Sequence, residues 1–545
     1  MKRLPALLLA LLSGGLLFLA FPPAGKADAA WIALVPLLLA LRGASPRRGA
    51  LLGAITGFAF WTGNLSWLIA LGSNGGPTWL IAVGLLALSA YCALYLAWYG
   101  ALVAWSWRAL PLGRNGWTRA LAALLMEPLL WVGCEFARGW FFTGFPWNSL
   151  GVSQYRNLPL AQAAALGGLP LLSLLLAMTN GAIASLIQRM AEVFRATTRR
   201  QTGPKVRFRA AELLVAVIVL CAASLWGAKR IRAWRAAEPD LPAWTVAIVQ
   251  PYTPSIFEID AAALDASIAE ALGHTACAGI ARPHLVVWPE SSLPGTLPYD
   301  PAADAVASNI AAAANAPALV GAVEYHPGPG PDPREGARCY NSSVLYGADG
   351  AARAIYRKQH LVPFGEYIPF ETLFPSLKQL LPIGESCLPG EPCVPMEVDG
   401  LLFSPLICFE DIFPYLARRA VAGGARLLVN QTNDAWFDGS SEPCQHLAQS
   451  VFRAIENGVP LVRSANGGVS GLIDPVGRTT LLASDGRDSG FSGFLVTRAV
   501  PPPSTCPATP YTRFGDWTCG LPALCVTLLA TLGLSWRKRT PPADP

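Results

Sequence analysis

The chain has 545 residues, more than one ordinary domain holds. Hydrophobic residues make up 53% and charged residues 14%, with a mean hydropathy of +0.39, which excludes an ordinary soluble globular protein. The net charge of +6 falls mostly in loops beside apolar runs, so it reads as membrane topology and anionic-lipid contact, with no nucleic-acid partner.

Eight apolar runs are long enough, or nearly so, to cross a bilayer: 4–21, 29–41, 50–71, 79–105, 120–137, 158–186, 211–228 and 517–536. The second is short; the fourth and sixth are long enough to tilt or break. Lys2 and Arg3 precede the first run. Arg42, Arg47 and Arg48 follow the second, Arg108, Arg114 and Arg119 the fourth, seven Lys/Arg between 189 and 209 the sixth, and Arg537, Lys538 and Arg539 the eighth. The alternate loops are poor in basic residues, so the positive-inside rule puts both termini in the cytoplasm and the stretch after the seventh run outside. Lys229, Arg230, Arg232 and Arg235 run against this pattern, but charge ahead of a long domain counts less. The first run also fits a signal peptide, whose cleavage would leave the same orientation. Glu135 and Arg138, beside the fifth run with Glu127, are three apart and can share a helix face as an ion pair that locks helices. A functional role is the alternative for ionisable groups at that depth. The aromatic stretch 140–147 suits a membrane interface and would help to position lipid.

From about residue 244 to 500 the pattern changes to β-rich runs alternating with Ala-rich helical stretches, which predicts an α/β fold with a covered sheet. Strands are expected at 245–250, 285–288, 318–325, 342–346, 401–408, 426–430 and 460–465. Helices are expected at 261–272, 303–314, 412–422 and 444–457, and hairpin turns at 347–350 and 474–477. Of the twelve Cys, Cys92, Cys134, Cys221, Cys519 and Cys525 lie in membrane runs as small apolar fillers. Cys387 and Cys393 share a Pro/Gly-rich loop and are a possible disulfide. No Cys/His spacing suggests a metal, and no cofactor is expected.

Three segments of this stretch carry reactive groups: VVWPES with Glu290, YRKQHLVPFGE with Lys358, and PLICFED with Cys408. Glu290 and Lys358 each follow a strand, and Cys408 ends one ahead of an expected helix. Open α/β sheets bind ligands at strand carboxyl ends, so the three are expected to converge. A thiolate is a nucleophile for acyl transfer, an ammonium lowers its pKa and stabilises an oxyanion, and a carboxylate carries the proton. A Cys–His dyad with His360 or His446 is the alternative set. Singly, each residue also has a bland reading: a buried core Cys, a capping Glu, a solvated Lys.

In this order, WPE, YRKxHLVPFGEYIP and ICFE resemble the nitrilase, or carbon–nitrogen hydrolase, superfamily and its Glu-Lys-Cys triad. The flanking spans and WFFTGFPWNSLGVSQ (140–154) narrow the resemblance to the bacterial apolipoprotein N-acyltransferase family, over nearly the whole chain. That resemblance implies a multi-span α-helical membrane domain of about eight helices (residues 1–236), an αββα sandwich (243–500), and a final helix with a basic tail (512–545). It implies a bacterial inner-membrane protein with its sandwich in the periplasm. The implied reaction is ping-pong: a phospholipid, typically phosphatidylethanolamine, gives an acyl chain to Cys408 as a thioester. The amine of the diacylglyceryl-modified N-terminal Cys of a lipoprotein then takes it. Glu290 would be general base and Lys358 oxyanion stabiliser. Glu366 would support the base or the Lys, Glu410 and Phe409 would shape the site, and Asn341 and Trp436 would lie nearby. The sequence departs from relatives at Phe409, where many have Tyr, in PYTPSIFEID, where Phe257 replaces a Trp, and in the insert 384–395. Loops 363–369 and 384–395 are the expected gates for lipid. A membrane-tethered amidase or nitrilase that hydrolyses small amides is the alternative function, and a non-catalytic transporter or scaffold is a third.

Overall fold

In the computed structural model the described residues are 3–110, 116–198, 210–253, 261–328, 338–369, 371, 386–392 and 394–536. Two units emerge: Met1–Ile69 with Trp79–Ile231 and Phe514–Pro545, and Ala70–Thr78 with Arg232–Arg513.

The first unit is helical because its apolar runs leave no backbone group that water could satisfy. Among the described residues, six helices are long and apolar enough to cross a membrane: Pro46–Ser73, Thr78–Ala109, Trp117–Arg138, Ala164–Arg195, Ala211–Asp240 and Pro510–Ser535. The first two runs form shorter apolar helices, Leu4–Leu19 and Ala27–Leu41, so six of the eight expected spans reach full length. Large apolar side chains stay exposed on these helices, among them Leu8, Val83, Leu94, Leu214, Ile218 and Leu529, as a lipid-facing surface requires. Elsewhere the helices approach closely through small residues. Gly49, Gly53 and Gly57 lie four apart on one face, and a Cβ on Gly53 would stand 2.0 Å from the Leu96 carbonyl oxygen.

Charge inside this unit is paired. Arg42 grips Glu127 with two nitrogens, at 3.0 and 2.8 Å, and both side chains are almost fully buried. Arg138 donates to the carbonyls of Phe145 and Trp147, and Glu135 accepts the Leu150 N–H at 2.7 Å. Glu135 and Arg138 therefore pin the connection that follows their helix. The aromatic stretch divides: Trp140 and Phe142 are exposed, whereas Trp147 is 2% exposed and packs on Trp67 and Phe145. Trp147 thus serves the core of this unit, which removes it from the lipid-positioning role expected of the stretch.

The second unit is the expected four-layer sandwich. One sheet has the order β12-β1-β2-β3-β4-β5, the other β11-β10-β9-β8-β7-β6. The strands are β1 (Trp244–Gln250), β2 (Leu285–Val287), β3 (Ala318–His326), β4 (Arg338–Tyr346), β5 (Ala352–Arg357), β6 (Met396–Val398), β7 (Leu401–Ile407), β8 (Leu427–Asn433), β9 (Leu461–Asn466), β10 (Gly471–Ile473), β11 (Thr479–Leu481) and β12 (Gly493–Ala499). Strand alternation builds the layers. Val246, Ile248 and Val287 meet Phe403, Leu427, Val429 and Val462 of the other sheet. Their neighbours Ala247, Val249 and Val286 instead pack under helices α1 (Ala261–Gly279) and α2 (Pro301–Ala314). Helices α3 (Pro414–Ala422) and α4 (Glu442–Asn457) belong to the other sheet. Both expected hairpin turns form: Gly350 N–H donates to the Gly347 carbonyl and Gly477 N–H to that of Asp474, each at 2.9 Å.

Candidate active site

The carboxyl ends of β1, β2 and β3 point one way in their sheet, and those of β7, β8 and β9 do so in theirs, because each triple is parallel. Glu290 leaves the carboxyl end of β2 through Trp288 and Pro289. Its backbone is pressed so close to β3 that a Cβ on Gly321 would meet the Glu290 Cα at 2.7 Å. Lys358 is the first residue after β5, and its N–H donates to the Asn341 carbonyl on β4 at 2.8 Å. Cys408 follows β7 directly, with φ at +51°, a conformation that costs a non-glycine residue about 1–3 kcal/mol. This bend takes Cys408 out of the strand into a 3₁₀ turn, Cys408–Ile412. The expected helix starts later, at Pro414, because Phe413 is extended and breaks the two apart. A long-helix N-terminus at the thiol, expected from the sequence, is therefore replaced by that short turn.

These residues meet. Lys358 Nζ donates to Glu366 Oε1 at 2.9 Å and lies 3.6 Å from Glu290 Oε1. Asn341 Nδ2 donates to Glu290 and to Glu366, both at 2.7 Å. The Asn433 N–H donates to Glu290 Oε2 at 2.9 Å, and the Glu290 and Lys358 charges both act on the Cys408 thiol. Glu366 also accepts the Val362 N–H at 2.8 Å, which folds the loop that carries it. Lys358 is 1% exposed and Cys408 is half-buried.

Burial raises the Glu290 carboxyl above its ordinary value, against the pull of Lys358. For Lys358, burial pulls downward, but the Glu366 and Glu290 carboxylates outweigh it and hold the amine firmly charged. Burial, then the Glu290 charge, pushes the Cys408 thiol well up. The cluster therefore sets a protonated thiol and a charged ammonium around Glu290, the group able to take the thiol proton.

Glu410 ties two of these segments together. It is fully buried, accepting the N–H groups of Gln359 and His360 at 2.6 and 3.1 Å on one oxygen. On the other it takes the Ile407 N–H and the Tyr356 hydroxyl, both at 2.7 Å. One carboxylate thus fixes the chain just after Lys358 to the chain just before Cys408. Phe409 is half-buried and packs edge-on against Phe413 at 5.2 Å, which in turn stacks on His360 at 3.6 Å. Trp436 lies half-buried in the turn Asp434–Phe437 after β8, three residues from the Asn433 amide. Phe257, named for its departure from relatives, lies outside the described residues, as does Cys393.

The histidines of the alternative dyad are engaged elsewhere. His360 Nδ1 pairs with the Tyr415 hydroxyl at 2.9 Å. His446 is buried among Asp411, Asp434, Glu442 and Arg463. Asp434, Glu442 and His446 gather within 4.8 Å as metal ligands would, but Arg463 balances them with contacts of 2.8 Å to Asp434 and 2.9 Å to His446. Sequence reading missed this cluster, although it bears on the thiol. Arg463 holds Asn430, whose Nδ2 donates to the Cys408 carbonyl at 3.0 Å. Asp434 accepts the hydroxyl of Thr432, and the Asp434 charge pushes the Cys408 thiol up while Thr432 pulls it down. Cys387, whose possible partner Cys393 lies outside the described residues, has its Sγ 3.2 Å from that of Cys339 on β4.

Residues 13–182 match the family model described as the apolipoprotein N-acyltransferase N-terminal domain, and residues 245–493 that of carbon–nitrogen hydrolase. The chain is 36% identical to an apolipoprotein N-acyltransferase of Geobacter metallireducens over 531 residues, 96% of this chain and 95% of the relative. It is 33% identical to one of Azotobacter vinelandii over 534 residues, 96% and 94% respectively. Among solved structures, an amidase from Nesterenkonia sp. matches 47% of this chain and 90% of its own, at 20% identity and a TM-score of 0.33. On the near full-length identity to these relatives, the chain belongs to the apolipoprotein N-acyltransferase family.

Proposed function

We propose that this protein N-acylates the N-terminal diacylglyceryl-cysteine of bacterial lipoproteins, taking the acyl chain from a membrane phospholipid through a thioester on Cys408. The observation that carries the reading is the shared cluster of Cys408, Glu290 and Lys358 in a chain with six membrane-length helices. Glu290 accepts the thiol proton as the sulfur attacks the ester carbonyl, and Lys358 stabilises the oxyanion that forms. Collapse releases lysophospholipid as Glu290 returns the proton to the leaving oxygen, which restores the carboxylate. In the second half, Glu290 takes a proton from the incoming amine, the thiolate leaves, and Glu290 passes that proton to the sulfur. Glu366 and Asn341 hold Glu290 and Lys358 in place, Glu410 sets the distance from Lys358 to Cys408, and Phe409 and Trp436 line the approach. Phosphatidylethanolamine is the donor, and the sandwich works on the periplasmic side of the inner membrane.

Mass spectrometry of the full-length protein mixed with phosphatidylethanolamine, beside a Cys408→Ser variant, tests the first half. A hydroxylamine-sensitive acyl mass on the Cys408 peptide, with lysophospholipid released, is expected. Ammonia release from simple amides without any lysophospholipid would establish the tethered amidase instead.

A further inference from the structure

Residues 386–392 run beside β4 and β5. The Cys387 N–H donates to the Glu366 carbonyl at 2.7 Å, the Leu388 N–H to the Cys339 carbonyl at 2.7 Å, and the Gly390 N–H to the Lys358 carbonyl at 2.8 Å. One short segment thus holds the backbones of both Glu366 and Lys358. Its anchor on β4 is a parallel bridge between Cys387 and Cys339. Neighbouring strands stand about 4.7–4.9 Å apart, within the roughly 4.4–6.8 Å between Cα atoms that a disulfide spans. Here the two sulfurs already touch, at 3.2 Å. Cys339 and Asn341 are two apart on β4 and so share a face, and Asn341 is the residue that bridges Glu290 and Glu366. Cys339 is buried and Cys387 half-buried, so an oxidant reaches Cys387 first.

We propose that Cys339 and Cys387 form a disulfide that clamps the Glu366 segment to β4 at the edge of the Glu290–Lys358–Cys408 cluster. The oxidant is a disulfide, either a protein dithiol–disulfide or a small molecule. The Cys387 thiolate attacks one of its sulfurs, forming a mixed disulfide and expelling one thiolate. The Cys339 thiolate then attacks the Cys387 sulfur and expels the second. Two protein thiol protons pass to solvent, two S–H bonds are replaced by one S–S bond, and the two electrons end on the oxidant's thiols. The proposal stands on its own whether or not the acyl-transfer reading holds, because its readout is a covalent link.

The test uses the full-length protein in detergent with Cys408→Ser, which removes the competing thiol. It is incubated with oxidised glutathione or with dithiothreitol, alkylated, and digested without reduction. The expected product after oxidation is one linked pair of peptides holding Cys339 and Cys387, two hydrogens lighter than the sum and resolved by dithiothreitol. The thermal midpoint should rise by several degrees on oxidation, and that rise should vanish in Cys339→Ser and in Cys387→Ser. Alkylation of both thiols after oxidation would overturn the proposal, as would a Cys387–Cys393 link. The peptide map on the parent chain decides the matter even if a Ser variant fails to fold.

Discussion

At the scale of single residues the site is a problem of where one proton rests. Burial and the neighbouring Glu290 charge keep the Cys408 thiol protonated, while Lys358 keeps its own proton because two carboxylates face it. Under the proposed chemistry Glu290 must be ionised to receive the thiol proton. Its pKa is raised above 4.5, so activity is present at higher pH and lost as pH falls through the raised value. Single-turnover thioester formation should therefore fall on acidification with a midpoint above 4.5. Glu290→Gln should lose about 10²–10⁴-fold in that rate and flatten its pH profile, with the thermal midpoint preserved as the control for folding. Glu410→Gln replaces two acceptor oxygens by one and turns an amide N–H toward donors. It should slow thioester formation by about 10²-fold through misplacement of Lys358 against Cys408, without moving the pH midpoint. The three candidate residues were legible only together, because WPE, YRK and ICFE in this order form a motif that no one of them carries alone. Thr432, Asp434 and Arg463 were not, since their effect on Cys408 passes through contacts between β7, β8 and β9 that local sequence does not encode.

At the scale of elements, what was readable was whatever repeats along the chain. Strands β1 to β4 and β7 to β9 and both hairpin turns announce themselves by β-rich runs and by Gly-containing turns. The short strands β6, β10 and β11, of three residues each, are too brief to show a period, and β12 is recognised only by pairing antiparallel with β1. The charged cluster on α4 makes a stability prediction. Burial and Arg463 pull His446 down, but Asp411 and Asp434 outweigh them and bring it to about 10, from 6.5. A raised value stabilises fully below 6.5, and that contribution is lost as pH rises through about 10. Glu442, pushed up to about 8 by burial and by Asp434, loses stability in the same direction. The thermal midpoint should thus decline between pH 6.5 and 10, and His446→Gln should flatten the upper part of that decline. Among the membrane helices, Gly53→Val would drive methyl groups into the Leu96 carbonyl, at a cost of about 1–3 kcal/mol. A lower thermal midpoint in detergent is the expected reading, with the acyl-transfer chemistry of the remaining folded protein unchanged.

At the scale of the whole molecule the open question is which side of the membrane the sandwich faces. With the sandwich outside, a membrane-impermeant maleimide should label Cys277 and Cys506, both exposed, in spheroplasts. Labelling only in inverted vesicles would reverse the assigned topology. The sequence by itself determined the two-part architecture, because hydropathy is a sum over neighbours in the chain and a membrane-length run needs no partner to be recognised. It singled out Glu290, Lys358 and Cys408 as candidates for the same reason, since motifs are local. Tertiary structure alone decided everything that depends on residues far apart. Arg42 read as a topology signal but is a buried partner of Glu127, 85 residues on. Trp147 read as an interface residue but is core. Cys387 lies against Cys339, 48 residues before it, a proximity that no local spacing announces. Pairing across such distances is set by strand order and helix packing, which minimise the free energy of the whole chain and leave no trace in any single window of sequence.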